Sequence, residues 1–362
     1  MSWQSCVVSC IKPKLEAKQA IDGLHWIVSA RSDGVHAWGT ANTKFEAATK
    51  ALAELVERIS TRGNSKFRTK RASAEELNES DWLRWASPSG QIDSSLCDAE
   101  VHWIEGYELE TRQQRFVPAH SVLPSWKISE PWEFRRPLSC GTAVHVDEQL
   151  ALRHAYAELL ERHTIMLHFF AGYLGNVFNG PFSDYIRSSC EALGRHHVRP
   201  YFYRMKIPRE IDIYVTYLES PNIPRLTAGA GTTPGKALAE ALQGRTLVET
   251  YLQFNTGEKV SHRNEITGKH ERAVYWACSG QPTPRESMRQ GSPPEVEPAP
   301  GKPVLVVDLT RGLTSEVGLH AVKVIAPSAL SVFGPEREYQ DWIELAKSYL
   351  KECSYPVPHF FW

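Results

Sequence analysis

Ala51-Leu52-Ala53-Glu54-Leu55-Val56-Glu57-Arg58-Ile59-Ser60 returns 104 residues later as Ala155-Tyr156-Ala157-Glu158-Leu159-Leu160-Glu161-Arg162-His163-Thr164, with six of ten positions identical. In the first copy Ala47, Ala48, Ala51, Leu52, Leu55, Val56 and Ile59 recur at i, i+3 and i+4, the spacing of one helix face. At 100° per residue the two glutamates of each copy stand about 60° apart, with the arginine about 40° to the other side of the first. The apolar residues centre roughly 130° away. Each helix therefore packs a stripe into a core and carries Glu-x-x-Glu-Arg along the border of that stripe. A single Glu-to-Arg pair at i,i+4 is an ordinary solvated feature worth about 0.3–0.5 kcal/mol; two copies of one constellation ask for a shared task. A third, partial copy runs from Ala237 through Glu240 and Gln243 to Arg245, with the second acid replaced by Gln and the arginine moved by one place.

Carboxylates gathered from several helices, with arginines beside them, suit a nucleotide bound through Mg²⁺. The ion needs hard oxygen ligands and usually takes a few carboxylates plus phosphate and water, and arginine clamps phosphate oxygens in bidentate fashion. Acids alone would repel a nucleotide. A competing stretch, Ala230-Gly231-Thr232-Thr233-Pro234-Gly235-Lys236-Ala237, nearly matches a phosphate-binding loop. Its last position is Ala, without a hydroxyl for the metal, and Pro234 removes a backbone N–H from the cradle. The residues thus point to an ATP–Mg²⁺ site built without that loop.

Composition narrows the class further. In 362 residues, 42% are hydrophobic and 23% charged, as in an ordinary globular chain. Lys plus Arg number 41 against 42 Asp plus Glu, so the formal charge of −1 speaks against nucleic acid or an anionic membrane held by bulk charge. No apolar run approaches the roughly 18–20 residues that span a bilayer, and the first residues do not read as a signal peptide. A cytoplasmic protein is expected. Seven scattered cysteines, Cys6 and Cys10 among them, fit neither a disulfide scaffold nor a zinc site and read as buried thiols.

Along the chain, Gly39 and Asn42 read as a turn before the first acidic helix, which ends near Ser60. Residues 62–71 form a basic loop around the Gly63-Asn64 turn. Strands are expected at Glu100–Ile104, Arg115–Pro118, Tyr201–Ile207, Ile211–Leu218, Val304–Asp308 and Ala321–Ile325. Helices are expected at about Glu148–Phe170, Gly235–Gln253 and Glu338–Lys351, with a loop at Gly229–Pro234. Seven of the 23 prolines fall in 281–303, so that segment reads as a linker or long loop. Strands and helices mix without strict alternation, which predicts α+β rather than a doubly wound sheet.

With these pieces in order, the sequence resembles the YcaO-domain family. The resemblance rests on the first acidic helix, Gly141-Thr142-Ala143 leading into the second, and Gly229-Ala230-Gly231 leading into the third. The late strands Val304–Arg311 and Val322–Pro327 complete it. It implies one YcaO-type catalytic domain over 1–362, with sub-lobes of about 1–140 and 141–362, and an ATP-binding fold of mixed or antiparallel sheets with acidic helices around the nucleotide. It implies ATP and Mg²⁺ as cofactors, Glu54, Glu57, Glu158 and Glu161 as metal ligands, and Glu54, Glu57, Arg162, Glu240, Gln243 and Arg245 around the nucleotide, Arg162 and Arg245 on phosphate. The tail from Cys353, with Pro356-Val357-Pro358, resembles the proline-rich tail that azoline-forming members thread into the site. Such a tail would offer the Trp362 carboxylate for proton transfer beside Arg162.

The implied reaction is cyclodehydration of Cys, Ser or Thr in a ribosomally made precursor peptide, as in microcin-type thiazole/oxazole synthetases. The implied partners are that precursor, a leader-binding E1-like partner protein and a flavin-dependent azoline dehydrogenase, with no nucleic acid and no membrane. Thioamide or macroamidine formation and a non-catalytic scaffold are the alternatives. The departures are Gly39-Thr40-Ala41 in place of Gly-Lys-Gly, Leu150 in place of a further Glu with Glu148 two residues earlier, Val144-His145 in place of Ala-Gly, and a terminal Trp362 in place of Pro.

Overall fold

The computed structural model describes residues 2–20, 25–62, 67–86, 97–123, 140–205, 211–221, 226–254, 275, 283–293 and 303–330, together with 343, 346, 347, 349, 350 and 353. The chain opens with helix α1 (Trp3–Ile11), started by the Ser2 cap. An antiparallel meander follows, of β1 (Lys14–Ala20), β2 (His25–Ser32) and β3 (Val35–Ala41), and then helix α2 (Lys44–Ser60). Thr43 fixes the start of α2: its hydroxyl accepts from Glu46 N at 3.2 Å and donates to the Glu46 carboxylate at 3.0 Å, so an orphan helix N–H is satisfied.

The middle of the chain contributes β4 (Thr69–Ala72), α3 (Asp81–Ala86), β5 (Val101–Glu108), β6 (Gln114–Pro118), α4 (Ala119–Val122) and β7 (Thr142–His145). The long helix α5 (Glu148–Ala171) is capped by Asp147 and closed by Gly172 in the left-handed conformation. Next come β8 (Asn176–Val177), α6 (Asp184–Arg195), β9 (Arg199–Met205), β10 (Ile213–Glu219), β11 (Leu226–Gly231) and helix α7 (Pro234–Phe254). The short helices α8 (Pro284–Ser287) and α9 (Leu313–Glu316) flank β12 (Leu305–Asp308), and β13 (His320–Ile325) follows.

Among the described residues three antiparallel sheets result. They run β1-β2-β3, β11-β10-β9-β8, and β4-β5-β12-β13-β7 with β6 also on β5. The third draws β4–β7 from the first half of the chain and β12–β13 from much later, with Val306 opposite Val324 and Lys323 opposite Thr142. The α+β expectation holds. Helix α2 packs on β3 and β2, α5 on β7 and β13, and α7 on β11 and β10. Ala151, Leu152, Ala155 and Leu159 of α5 share one core with Val306, Val322 and Val324. The far half of α5, from Ile165 to Phe170, enters another with Tyr203, Val215 and Tyr217.

Local expectations are corrected in several places. Thr69 to Arg71, expected within the basic loop, belong to β4. Gly39 lies inside β3 rather than in a turn, and Gly229 to Gly231 end β11 rather than opening a loop. The reason is close approach: a β-carbon on Gly39 would lie 2.1 Å from Ala47 O and 2.3 Å from Ala51 N, and one on Gly229 2.5 Å from Ala237 O and 2.1 Å from Ala241 N. The intervals match, 39 to 47 and 51 against 229 to 237 and 241. The unit β9–β10–β11–α7 therefore repeats β1–β2–β3–α2 as a meander whose last strand lies flush on its helix.

Cys10 is exposed, and Cys6, Cys97, Cys140, Cys190 and Cys353 are half-buried rather than fully buried. Residues 283–293 pack against the second sheet, where Arg289 and Gly291 bridge to Tyr173 and Gly175. Most of the expected helix at Glu338–Lys351, the rest of 281–302, and the tail with Trp362 lie outside the described residues.

Candidate nucleotide and metal site

The two full acidic copies occupy the same place on their helices. Glu54 follows its cap Thr43 at the interval by which Glu158 follows Asp147 (43 to 54, 147 to 158). The first glutamate of each copy also has the same kinds of partner, a backbone N–H and the arginine one turn on. Glu54 Oε2 accepts from Trp38 N at 3.0 Å, and Oε1 meets Arg58 at 2.5 Å. Glu158 Oε2 accepts from Gly141 N at 3.1 Å, and Oε1 lies 3.8 Å from Arg162. Each pins the strand before its helix and holds the arginine one turn on. The third copy differs in phase. Helix α7 begins on Thr233, which accepts from Lys236 N and Ala237 N, so Glu240 comes one turn sooner after its cap (233 to 240) than Glu54 or Glu158.

The remaining acids face a common space. Among the described residues the Glu57 and Glu240 carboxylates make no hydrogen bond or ion pair. Burial, then the neighbouring Glu158 and Glu54, push Glu57 well above the usual carboxylate range. Burial also raises Glu240, with Glu161 and Glu54 adding to it against Lys236 and Arg162. Glu158 is raised by burial and Glu161 against the opposing cations Arg162, Lys236 and Lys323. Glu161, with its side chain 1% exposed, has Arg162 at 3.7 Å from Oε1 and Lys236 at 3.3 Å from Oε2.

Burial disfavours the Arg162 cation, yet Glu161, Cys140, Glu158 and Glu240 together raise its pKa above the usual value. Lys323, 2% exposed, donates to Cys140 O at 2.7 Å. Burial lowers its pKa, against Cys140, Glu158 and Glu57.

The structure thus brings together Glu54, Glu57, Glu158, Glu161, Glu240 and Arg162. It turns Arg245 along its own helix to Glu249, at 2.9 Å, and leaves Gln243 half-buried on α7. At the departures, Thr40 is buried and its carbonyl accepts from Lys50 Nζ at 3.0 Å, while Glu148 and Leu150 are exposed at the start of α5. Lys236 and Lys323 were not singled out from sequence. Lys236 stood in the rejected phosphate-loop match, and Lys323 interrupts the apolar run His320–Ile325 at an inward strand position, which was its signal.

The fit to a divalent cation can be judged from the charges. The carboxylates outnumber the cations that answer them (Arg58, Arg162, Lys236 and Lys323), so a buried surplus of hard oxygens faces one space. Among the described residues no three His, Cys, Asp or Glu side chains are grouped so that they could hold a metal ion by themselves. Mg²⁺ completes its octahedron with phosphate and water rather than with an all-protein shell. The residues present fit the ion and its nucleotide.

A family model described as "YcaO cyclodehydratase, ATP- and Mg2+-binding" matches residues 38–330, which hold all three acidic helices. The chain belongs to the YcaO family. ATP and Mg²⁺, the cofactors expected from sequence, are the ligands in that family's description. Among solved structures, this YcaO chain is similar to a heterocyclase in complex with substrate and cofactor (TM-score 0.69, 16% identity), covering 100% of this chain and 57% of that one. It is also similar to the E. coli microcin synthetase McbBCD complex (TM-score 0.63, 12% identity, 88% of each chain). A third likeness is to YcaO from Methanopyrus kandleri bound with AMPPCP and Mg2+ (TM-score 0.58, 15% identity, 87% of this chain and 85% of that one). These identities carry the fold. No curated protein matches by sequence. Among the described residues no helix is long and apolar enough to cross a membrane.

Proposed function

We propose that the chain is an ATP-dependent cyclodehydratase forming thiazoline or oxazoline rings in a ribosomally made precursor peptide, acting as a single YcaO-type catalytic domain. The observation that carries this reading is the convergence of Glu57, Glu158, Glu161 and Glu240 from three helices on one buried space with Arg162 beside them. In this reading Glu54, Glu57, Glu158 and Glu161 hold Mg²⁺, and Glu54 also ties α2 to β3 through the Trp38 N–H. Arg162 contacts phosphate, and Glu240, Gln243 and Arg245 line the nucleotide along α7. Bound ATP supplies the phosphoryl group that turns an amide oxygen into a leaving group.

The Cys, Ser or Thr side chain adds to the preceding carbonyl carbon and loses its proton, and the carbonyl oxygen is phosphorylated. Phosphate then departs as the C=N bond forms and the amide proton leaves, for a net loss of water. The protein's part is positioning and neutralisation of charge. The precursor, a leader-binding partner protein and a flavin-dependent dehydrogenase are the proposed partners. The likeness to a synthetase complex that has also been solved with pro-MccB17 bound supports them.

The test is reconstitution with the precursor and partner, with ring formation read by mass spectrometry as loss of one water per ring. The expected result is water loss that requires ATP and Mg²⁺. Glu158→Gln should lower precursor-dependent phosphate release by about a hundredfold or more while the melting temperature stays near wild type. Exchange of sulfur for oxygen, or water loss without ATP, would overturn the reading.

A further inference from the structure

Lys236 sits in the first turn of α7, its N–H donating to Thr233 Oγ1 at 3.2 Å. Its stem runs along the end of β11: a β-carbon on Gly231 would lie 2.7 Å from both Cβ and Cγ of Lys236, so glycine leaves the path open. The ammonium ends 3.3 Å from Oε2 of Glu161 while Arg162 stands 3.7 Å from Oε1. Both oxygens of this buried carboxylate thus face cations, and Lys236 competes with a metal for Glu161 while it stays. Lys236 is also the cation with room to leave. Its side chain is 47% exposed, whereas Lys323 is enclosed and Arg162 is held between two carboxylates. Glu240 and Glu158 attract the ammonium, while Arg162 repels it.

We infer that Lys236 is an exchangeable counter-ion, which neutralises Glu161 while the site holds no nucleotide and moves onto the triphosphate when a divalent cation takes over that carboxylate. The inference rests on the ATP–Mg²⁺ reading above. A flexible four-carbon stem carrying a point charge suits such a move, and a planar guanidinium locked in place does not. The exchange keeps the buried charge near balance in both states: the cation that leaves Glu161 answers the phosphate charge that arrives with the metal. Lys236 is on this account a positioning and phosphate-binding residue.

Its signature is a pair of opposite effects on binding to the full chain, with no turnover required. In Lys236→Gln, Mn²⁺ alone should bind about three- to tenfold more tightly, because Glu161 has lost its competitor. Mg–ATP should bind about ten- to a hundredfold more weakly, because a charge-assisted phosphate contact is gone. Lys236→Arg should return Mn²⁺ binding to the wild-type value. A merely structural lysine would move both affinities the same way or neither, and either result overturns the inference. If the wild-type chain binds Mg–ATP normally and Lys236→Gln matches it, this inference alone falls. If the wild type binds neither Mn²⁺ nor Mg–ATP, the proposed function falls with it.

Discussion

Lys323 shows how charge and burial divide the work at single positions. An enclosed ammonium is costly unless answered, and here the Cys140 carbonyl and the charges of Glu57 and Glu158 answer it. Lys323→Met should leave two buried carboxylates repelling each other and lower unfolding free energy by about 2–4 kcal/mol, measured in denaturant. Histidines give a second effect at this scale. Burial holds His163 at about 3 and His168 at about 4, and burial together with Lys50 holds His25 at about 4, against an ordinary 6.5. The folded chain keeps them neutral while the unfolded chain protonates. Stability is therefore full above pH 6.5 and drains as pH falls toward 4, by about 2 kcal/mol per histidine at pH 5. His163, whose Nδ1 accepts from Leu330 N at 3.0 Å, offers the test: between pH 7 and pH 5, His163→Gln should lose about 2 kcal/mol less than wild type. Little of this was legible beforehand. The glutamates announced themselves by repetition, whereas the two lysines that balance them occur once each, and only the fold shows what they face.

Among the elements, the helices were readable because their stripes and caps agree: Thr43, Asp147 and Thr233 each precede a periodic run. The expected Glu148–Phe170 helix is one residue short of α5, and Gly235–Gln253 one residue short of α7 at each end. Strands β3 and β11 were misread at their glycines because Gly-rich stretches signal turns in sequence. Their actual cause, contact between strand and helix backbones, leaves no local trace. The contact is testable. Gly229→Ala forces a β-carbon to 2.1 Å from the Ala241 nitrogen and should cost about 3 kcal/mol or more, with loss of nucleotide affinity as α7 shifts. Gly194→Ala, on α6 with nothing within 4 Å of the added carbon, should be neutral or stabilise by up to about 1 kcal/mol. Equal melting temperatures for the two variants would refute the close-approach account.

For the molecule as a whole, composition and the mixture of elements sufficed for α+β, and the acidic helices for a shared site. The grouping into three sheets was out of reach, because strand partners are set by long-range pairing. Nothing near Thr142 foretells that Lys323 lies across from it. The repeated meander-and-helix unit was equally hidden, since it is a likeness of backbone course and glycine placement rather than of letters. The pairing of β12 and β13 with strands made much earlier (Leu305 with Glu108, Lys323 with Thr142) also bears on how the protein is born. A ribosome emits both full acidic helices long before it emits Lys323. The nascent chain must carry those carboxylates without their enclosed counter-charge, and the third sheet closes only when β13 arrives.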